Sequence, residues 1–364
     1  MANLFDYLDW RGDLSFSAAP FCEVDNLILC LLSYLDFSSL LLEGDRVGLP
    51  LKKLAPLYLK NGDRPPLGLL LSERYYDLLE RAAASPRFGS VRAWGHRNRL
   101  DKSREMQFSA TTFSLGCGEC FVAFRGTDDT LIGWKEDFNM TVSFPIPAQE
   151  EAAAYLSFVA GSTADRLLLG GHSKGGNLAV YAAATCEASV GERISSVWSN
   201  DSPGFPREML DSPGYLAIRE KVHPLMPRSS VVGVIFEWDP APELVASNAS
   251  GAFQHEGLTW QVLGASFLRA PEQSRGSRQL DRSLQALLQE MELPCRRQLI
   301  DDVFSVGQEL GVETLAELVA DGRRRQSFKA ISSKLTGIDR DTRDCFLRAL
   351  KSVFREEDTT ESEV

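Results

Sequence analysis

The spacing of apolar residues changes character along the chain. Residues 1–22 carry no sustained period and are expected to form an extended arm, with a turn at Arg11-Gly12-Asp13. Glu23–Leu35 is densely apolar and predicts a helix. Leu40–Pro65 reads as irregular, interrupted by Lys52 and Lys53. Ser72–Ala84 returns to helical spacing, with Ser72 as cap and Tyr76, Leu78 and Leu79 on the apolar side. From 107 to 269 the pattern alternates. Short apolar runs at Gln107–Leu115, Cys120–Arg125, Arg166–Leu169, Ser196–Ser199 and Ser230–Phe236 predict strands. Ala148–Val159 and the alanine-rich Asn177–Thr185 predict helices between them. Strands alternating with helices imply an α/β fold with a mostly parallel central sheet, whose C-terminal edge gathers the loops.

The composition breaks at Ala270–Gly276, rich in Pro, Ser, Gly and charge. Helical spacing follows at Leu280, Leu284, Leu287, Leu288 and Met291, and again at Leu299, Val303, Val306 and Leu310. A last helix is expected at Phe346, Leu347, Leu350, Val353 and Phe354, started by Asp341 or Thr342. The expected organisation is an α/β domain at 1–270, a C-terminal helical extension at 277–355 and an acidic, disordered tail at 356–364. The extension fits two roles, a cap packed on the first domain or a partner-binding module. Its apolar faces are expected to pack mainly on each other, leaving it separable near residue 275.

The densest chemical signal is Gly171-His172-Ser173-Lys174-Gly175, between a predicted strand and a predicted helix. In that context G-x-S-x-G is a nucleophile elbow, a sharp turn that presents a serine hydroxyl. A serine needs a base, and the base needs an orienting acid. Four histidines bound the search. His172 leaves the turn in a different direction from Ser173, and His96 lies upstream, against the hydrolase order of Ser, acid, His. His255 is the preferred base and His223 its rival. Asp239 is the preferred acid because it follows the expected strand Ser230–Phe236; Asp201 and Glu237 are the alternatives. Phe121–Thr127 reads as a strand ending in a glycine turn, so the backbone N–H groups of Thr127 and Lys174 are the expected oxyanion donors, with the Thr127 hydroxyl as a possible third.

These residues carry a resemblance. Phe124-Arg125-Gly126-Thr127 with Trp134 and Asp137, followed by Gly171–Gly176, resembles the class 3 (fungal-type) lipases. Asp239-Pro240-Ala241-Pro242 looks like their Asp-x-x-Pro acid loop, which further favours Asp239. Asn3–Asp13, Asn200–Phe205 and Gln254-His255 are more similar still to a family of lipase-like bacterial hydrolases. The resemblance covers roughly residues 1–265. It implies an α/β-hydrolase fold and a serine hydrolase that cleaves lipid or other acyl esters through an acyl-enzyme, without metal or cofactor. One departure is Lys174, where those lipases carry an apolar residue; its ammonium is expected either to act at the site, drawing anionic substrates or stabilising developing charge, or to face solvent.

Composition narrows the rest. A net charge of −11 argues against sequence-independent nucleic-acid binding. Seven cysteines without framework spacing suggest free thiols in a reducing compartment, and Cys117-Gly118-Glu119-Cys120 reads as a hairpin turn rather than a metal site. Asp6 and Asp9 stand where a secretory signal would be basic, and Leu27–Leu42 is too short and charged to cross a bilayer, so a cytoplasmic protein without stable membrane insertion is expected. The rival reading is a catalytically idle lipase-like scaffold that binds a protein partner through residues 277–355.

Overall fold

The computed structural model describes residues 1–60, 62, 64–68, 71–279, 281–282, 291–320 and 323–334. Among them, eight strands form one sheet in chain order: β1 (Leu49–Pro50), β2 (Arg92–Asp101), β3 (Met106–Ser114), β4 (Glu119–Phe124), β5 (Arg166–His172), β6 (Ile194–Asn200), β7 (Val222–Pro227) and β8 (Glu243–Val245). The pairs from β1 to β4 are antiparallel and those from β4 to β8 parallel. This is the mixed α/β sheet expected of an α/β-hydrolase fold.

Strand side chains alternate in direction, so one strand feeds two cores. Phe121, Ala123 and Leu168 join the core under α1 (Leu4–Arg11), α2 (Glu23–Leu32), α3 (Leu51–Tyr58) and α4 (Arg74–Ala84). Cys120, Val122, Phe124, Leu167 and Leu169 face the other way. Ahead of β5 run α5 (Leu131–Asn139) and α6 (Pro147–Ala160), and α7 (Lys174–Thr185) follows it; α6 and α7 cover that second face. A sheet buried on both sides explains the nearly unbroken apolar run at Leu167–Leu169.

The N-terminal arm is not extended. Asn3 accepts from the N–H of Phe5 and Asp6, and Asp6 accepts from the Asn3 N–H, so a capping box starts α1. A buried ion pair between Arg87 and Asp25, at 2.6 Å, ties the arm down, because the same guanidinium donates to the carbonyls of Leu14, Ala19 and Pro20. Leu40–Pro65 likewise holds β1 and α3.

A third difference bears on the site. Ser230–Phe236 is not a strand but a series of bends and turns. The sheet position belongs to β7, Val222–Pro227, whose two prolines hide it from a pattern search. Cys117 lies in the β3–β4 turn and Cys120 in β4 just after it, a hairpin as expected.

The extension contributes α8 (Leu293–Leu310), α9 (Leu315–Val319) and α10 (Arg324–Lys334). The expected periods at Leu280–Leu288 (Leu280, Leu284, Leu287, Leu288) and at Phe346–Phe354, with the start at Asp341 or Thr342 and the tail 356–364, lie outside the described residues. The apolar face at Leu299–Leu310 packs with α9 and α10 but also onto Leu131 and Trp134 of α5. No described helix is long and apolar enough to cross a membrane.

Candidate active site

β5 delivers the chain to Ser173, whose backbone sits at φ 57° and ψ −137°. A non-glycine residue at positive φ costs energy and persists only where its surroundings enforce it. Here the enforcement is close contact. A methyl on Gly171 would overlap the backbone of Gly175, and one on Gly175 would overlap the carbonyl of Phe124. Asn200 Nδ2 donates to the Gly171 carbonyl at 2.9 Å, and the Ser173 N–H donates to the Asn200 carbonyl at 3.0 Å. Asn200 is itself paired with Asn26 on α2.

Three consecutive side chains leave this turn in three directions. Ser173 enters a cleft. His172 is buried toward α2 and the loop of His255: its Nε2 lies 2.7 Å from the His255 carbonyl and its Nδ1 lies 2.9 Å from the Tyr34 hydroxyl. A carbonyl only accepts, so Nε2 carries the proton. Burial, then the neighbouring His255, push the His172 pKa well below the ordinary histidine value, so Nδ1 is bare and Tyr34 donates to it. Lys174 points into the protein, its ammonium 2.9 Å from Glu136 and 3.0 Å from Gln107 Oε1. It neither faces solvent nor reaches the cleft, which corrects both expectations for it. Burial opposes its charge, but Glu136 and Asp137 outweigh that and hold its pKa above the usual lysine range.

His255 and Ser173 line the same cleft. His255 Nδ1 lies 2.7 Å from Asp201 Oδ2, which leaves Nε2 as the free ring nitrogen. Asp201 follows β6 at φ 47° and is fully buried. Its other oxygen accepts from the Ser230 hydroxyl, which in turn accepts from the Gly233 N–H at 2.7 Å. The bends that replace the expected strand therefore exist to wrap this carboxylate.

Asp239, the acid preferred from the sequence, is elsewhere. Its Oδ1 meets Arg219 at 2.6 Å, with 38% of the side chain exposed. The strand expected to lead into it does not form, and its Asp-x-x-Pro loop lies beside Arg219. Glu237 is exposed, its carboxylate 3.8 Å from Arg207. His223 packs at a tilt on Trp198, ring centroids 5.6 Å apart, and His96 lies between Thr111 and Asp36. Neither lines the cleft.

On the other side of Ser173 is Gly126, where a methyl would crowd the serine β-carbon at 3.0 Å and collide with the Tyr34 hydroxyl. Thr127 follows at the cleft wall, and its hydroxyl donates to Asp137 Oδ2 at 2.5 Å. That hydroxyl is thus occupied, and the backbone N–H is what Thr127 has left to offer. Asp137 is the last carboxylate of a buried cluster with Lys174 and Glu136; burial raises its pKa to about 6, against the lowering pull of Lys174 and Thr127.

The cleft is open to solvent and is completed by Tyr34, Gly68, Leu71, Asp128, Asp129 and Trp134. Sequence reasoning did not assign a place in the site to Tyr34, Ser230 or the carboxylate of Asp137. Tyr34 gives no local signal, and Ser230 was hidden at the head of the misread apolar run. Among the described residues no group of His, Cys, Asp and Glu is arranged to hold a metal ion. None of the curated proteins matches the chain. A family model does, over residues 82–305, a span that holds the elbow, Asp201, His255 and part of α8: the chain belongs to the Mbeg1-like family, a lipase-like family of unknown function.

Proposed function

We propose that the protein is a serine hydrolase that cleaves carboxylic esters, with Ser173, His255 and Asp201 as its triad. The observation that carries this reading is the short Asp201–His255 bond, made by a histidine that shares one cleft with an elbow serine. Ser173 Oγ attacks the ester carbonyl while His255 Nε2 takes its proton. Asp201 accepts from Nδ1–H, which fixes the tautomer and stabilises the imidazolium. Negative charge builds on the former carbonyl oxygen, and the backbone N–H groups of Thr127 and Lys174 receive it. His255 then protonates the leaving alcohol, and water enters by the reverse path to release the acid.

The choice of Asp201 over Asp239 follows from electrostatics. A carboxylate out of water, with one oxygen saturated by Ser230, has a single remaining partner. A half-exposed one beside an arginine has no call on a distant imidazole. Lys174 supplies its N–H but not its ammonium, so anionic substrates gain nothing from that charge.

The test is a fluorophosphonate probe, which needs an activated serine and no known substrate. Wild-type protein is expected to be labelled at Ser173 alone, and Ser173→Ala not at all. A folded wild-type chain that resists labelling would turn the reading toward an idle scaffold.

A further inference from the structure

The segment after Thr127 is held from outside the α/β domain. The Leu131 N–H donates to the Glu313 carbonyl and the Leu315 N–H to the Asp129 carbonyl, both at 2.8 Å, around an antiparallel bridge between Thr130 and Thr314. The Ala316 N–H donates to the Asp129 carboxylate at 3.0 Å. The Leu131 side chain seats against Gly307 of α8, so closely that a methyl there would overlap Leu131 Cδ1. Phe138 meets Phe304 edge to face, centroids 5.6 Å apart, and Lys135 pairs with Asp301 at 2.7 Å.

The same α5 fixes Thr127. Asp137 receives its hydroxyl, and its methyl packs so tightly on Gly133 that a Cβ at Gly133 would sit 2.9 Å from Thr127 Cγ2. Trp134, between them, lines the cleft on one side and packs on the C-terminal cluster on the other.

We propose that the C-terminal helical unit is a positioning element of the active site: residues 307–316 hold α5, and α5 in turn holds the Thr127 oxyanion donor in register with Ser173. In its activity arm this rests on the hydrolase reading above. None of the unit's described residues lines the cleft. Its contribution is to add a second set of contacts at the start of a segment whose far end Glu136 already ties to Lys174, Gln107 and Ala148, and so to narrow the freedom of the stretch beside the oxyanion donor. Small displacements of a catalytic donor are costly, because transition-state stabilisation depends on geometry within fractions of an ångström.

The experiment uses the full chain. Gly307→Ala drives a methyl into Leu131, and the double variant Gly307→Ala with Leu131→Val removes the δ-carbon that it strikes. Amide hydrogen exchange of residues 128–142 is measured beside kcat and KM on a small soluble ester. The single variant should raise exchange in 128–142 and lower kcat at least tenfold, with KM changed less than threefold, and the double variant should restore both. Leu131→Ala withdraws the same anchor without an overlap and should act in the same direction, so a misfolded Gly307→Ala does not decide the matter. Faster exchange with unchanged or higher kcat would overturn the proposal, the latter making the unit a brake. Unchanged exchange, or a folded double variant that restores neither, would overturn it too. A wild-type chain that neither turns over ester nor takes the fluorophosphonate label removes the hydrolase reading instead, and the exchange arm alone then decides whether the unit holds α5.

Discussion

Asp201 and Asp239 are both carboxylates in the loops beyond the parallel strands, and they could hardly be placed more differently. Asp201 is sealed from water, and each oxygen has one designated donor, Ser230 and His255. Asp239 lies at the surface, where Arg219 and solvent compete for it. A charge in a low-dielectric setting commits to its neighbours, whereas an exposed one spends its field on water. Orienting an imidazole requires the first condition, and nearness to a strand end does not supply it.

The sharpest way to break this contrast is to neutralise each carboxylate in turn. Asp201→Asn should lower kcat by about 10⁴-fold, the scale seen when a triad acid is made neutral, while Asp239→Asn should leave steady-state ester turnover unchanged. The reverse ranking would return the acid's role to the surface loop. The next largest effect is on folding. Asp25 is buried with Arg87 as Asp201 is with His255, so Arg87→Met, which strands a buried charge, should cost ~3–5 kcal/mol in denaturant unfolding. A loss below about 1 kcal/mol would mean that the pair behaves as a surface one. Ser230→Ala tests the seal itself. It leaves one Asp201 oxygen without its donor, and a tenfold fall in kcat, ~1.4 kcal/mol, is expected with little change in KM.

The smallest effect concerns pH. His172 is neutral in the fold, with its pKa pushed well below the ordinary value, while the unfolded chain takes up a proton near pH ~6.5. The unfolded state therefore binds more protons below that pH, and acidification costs stability. Asp137 has the opposite sign: its folded pKa of about 6 exceeds the ordinary carboxylate value, so between that ordinary value and pH 6 the folded chain holds the extra proton. The two are separated by comparison. His172→Gln should lower the unfolding midpoint at pH 8 yet flatten its decline toward pH 5 relative to wild type. An unchanged slope would remove His172 from the acid response.

How much of this was legible in the sequence follows the same physics. The elbow was visible because glycines, a strand and a helix meet within a few residues, and contact along the chain is enough to specify it. The parallel sheet was visible because burial on both faces makes strands apolar throughout. β7 was not, since Pro224 and Pro227 break the pattern while the neighbouring run Ser230–Phe236 imitates it. That run and the Asp-x-x-Pro likeness together point to Asp239, which the structure sets beside Arg219 rather than beside a histidine. β2 escaped notice because its later residues, from Arg97 to Asp101, alternate with solvent and charge. Tyr34, which reaches His172 across 138 positions, has no local signature at all.

The close contacts around Ser173 also set where this protein can be redesigned. Gly126, Gly171 and Gly175 each abut another stretch of backbone or a buried hydroxyl, so not even an alanine fits without moving the turn. The inner wall of the cleft is in that sense closed to engineering. Other parts of the lining are large side chains, Leu71 and Trp134 among them. A library meant to admit a longer or bulkier acyl group should vary those two positions and leave the glycines untouched.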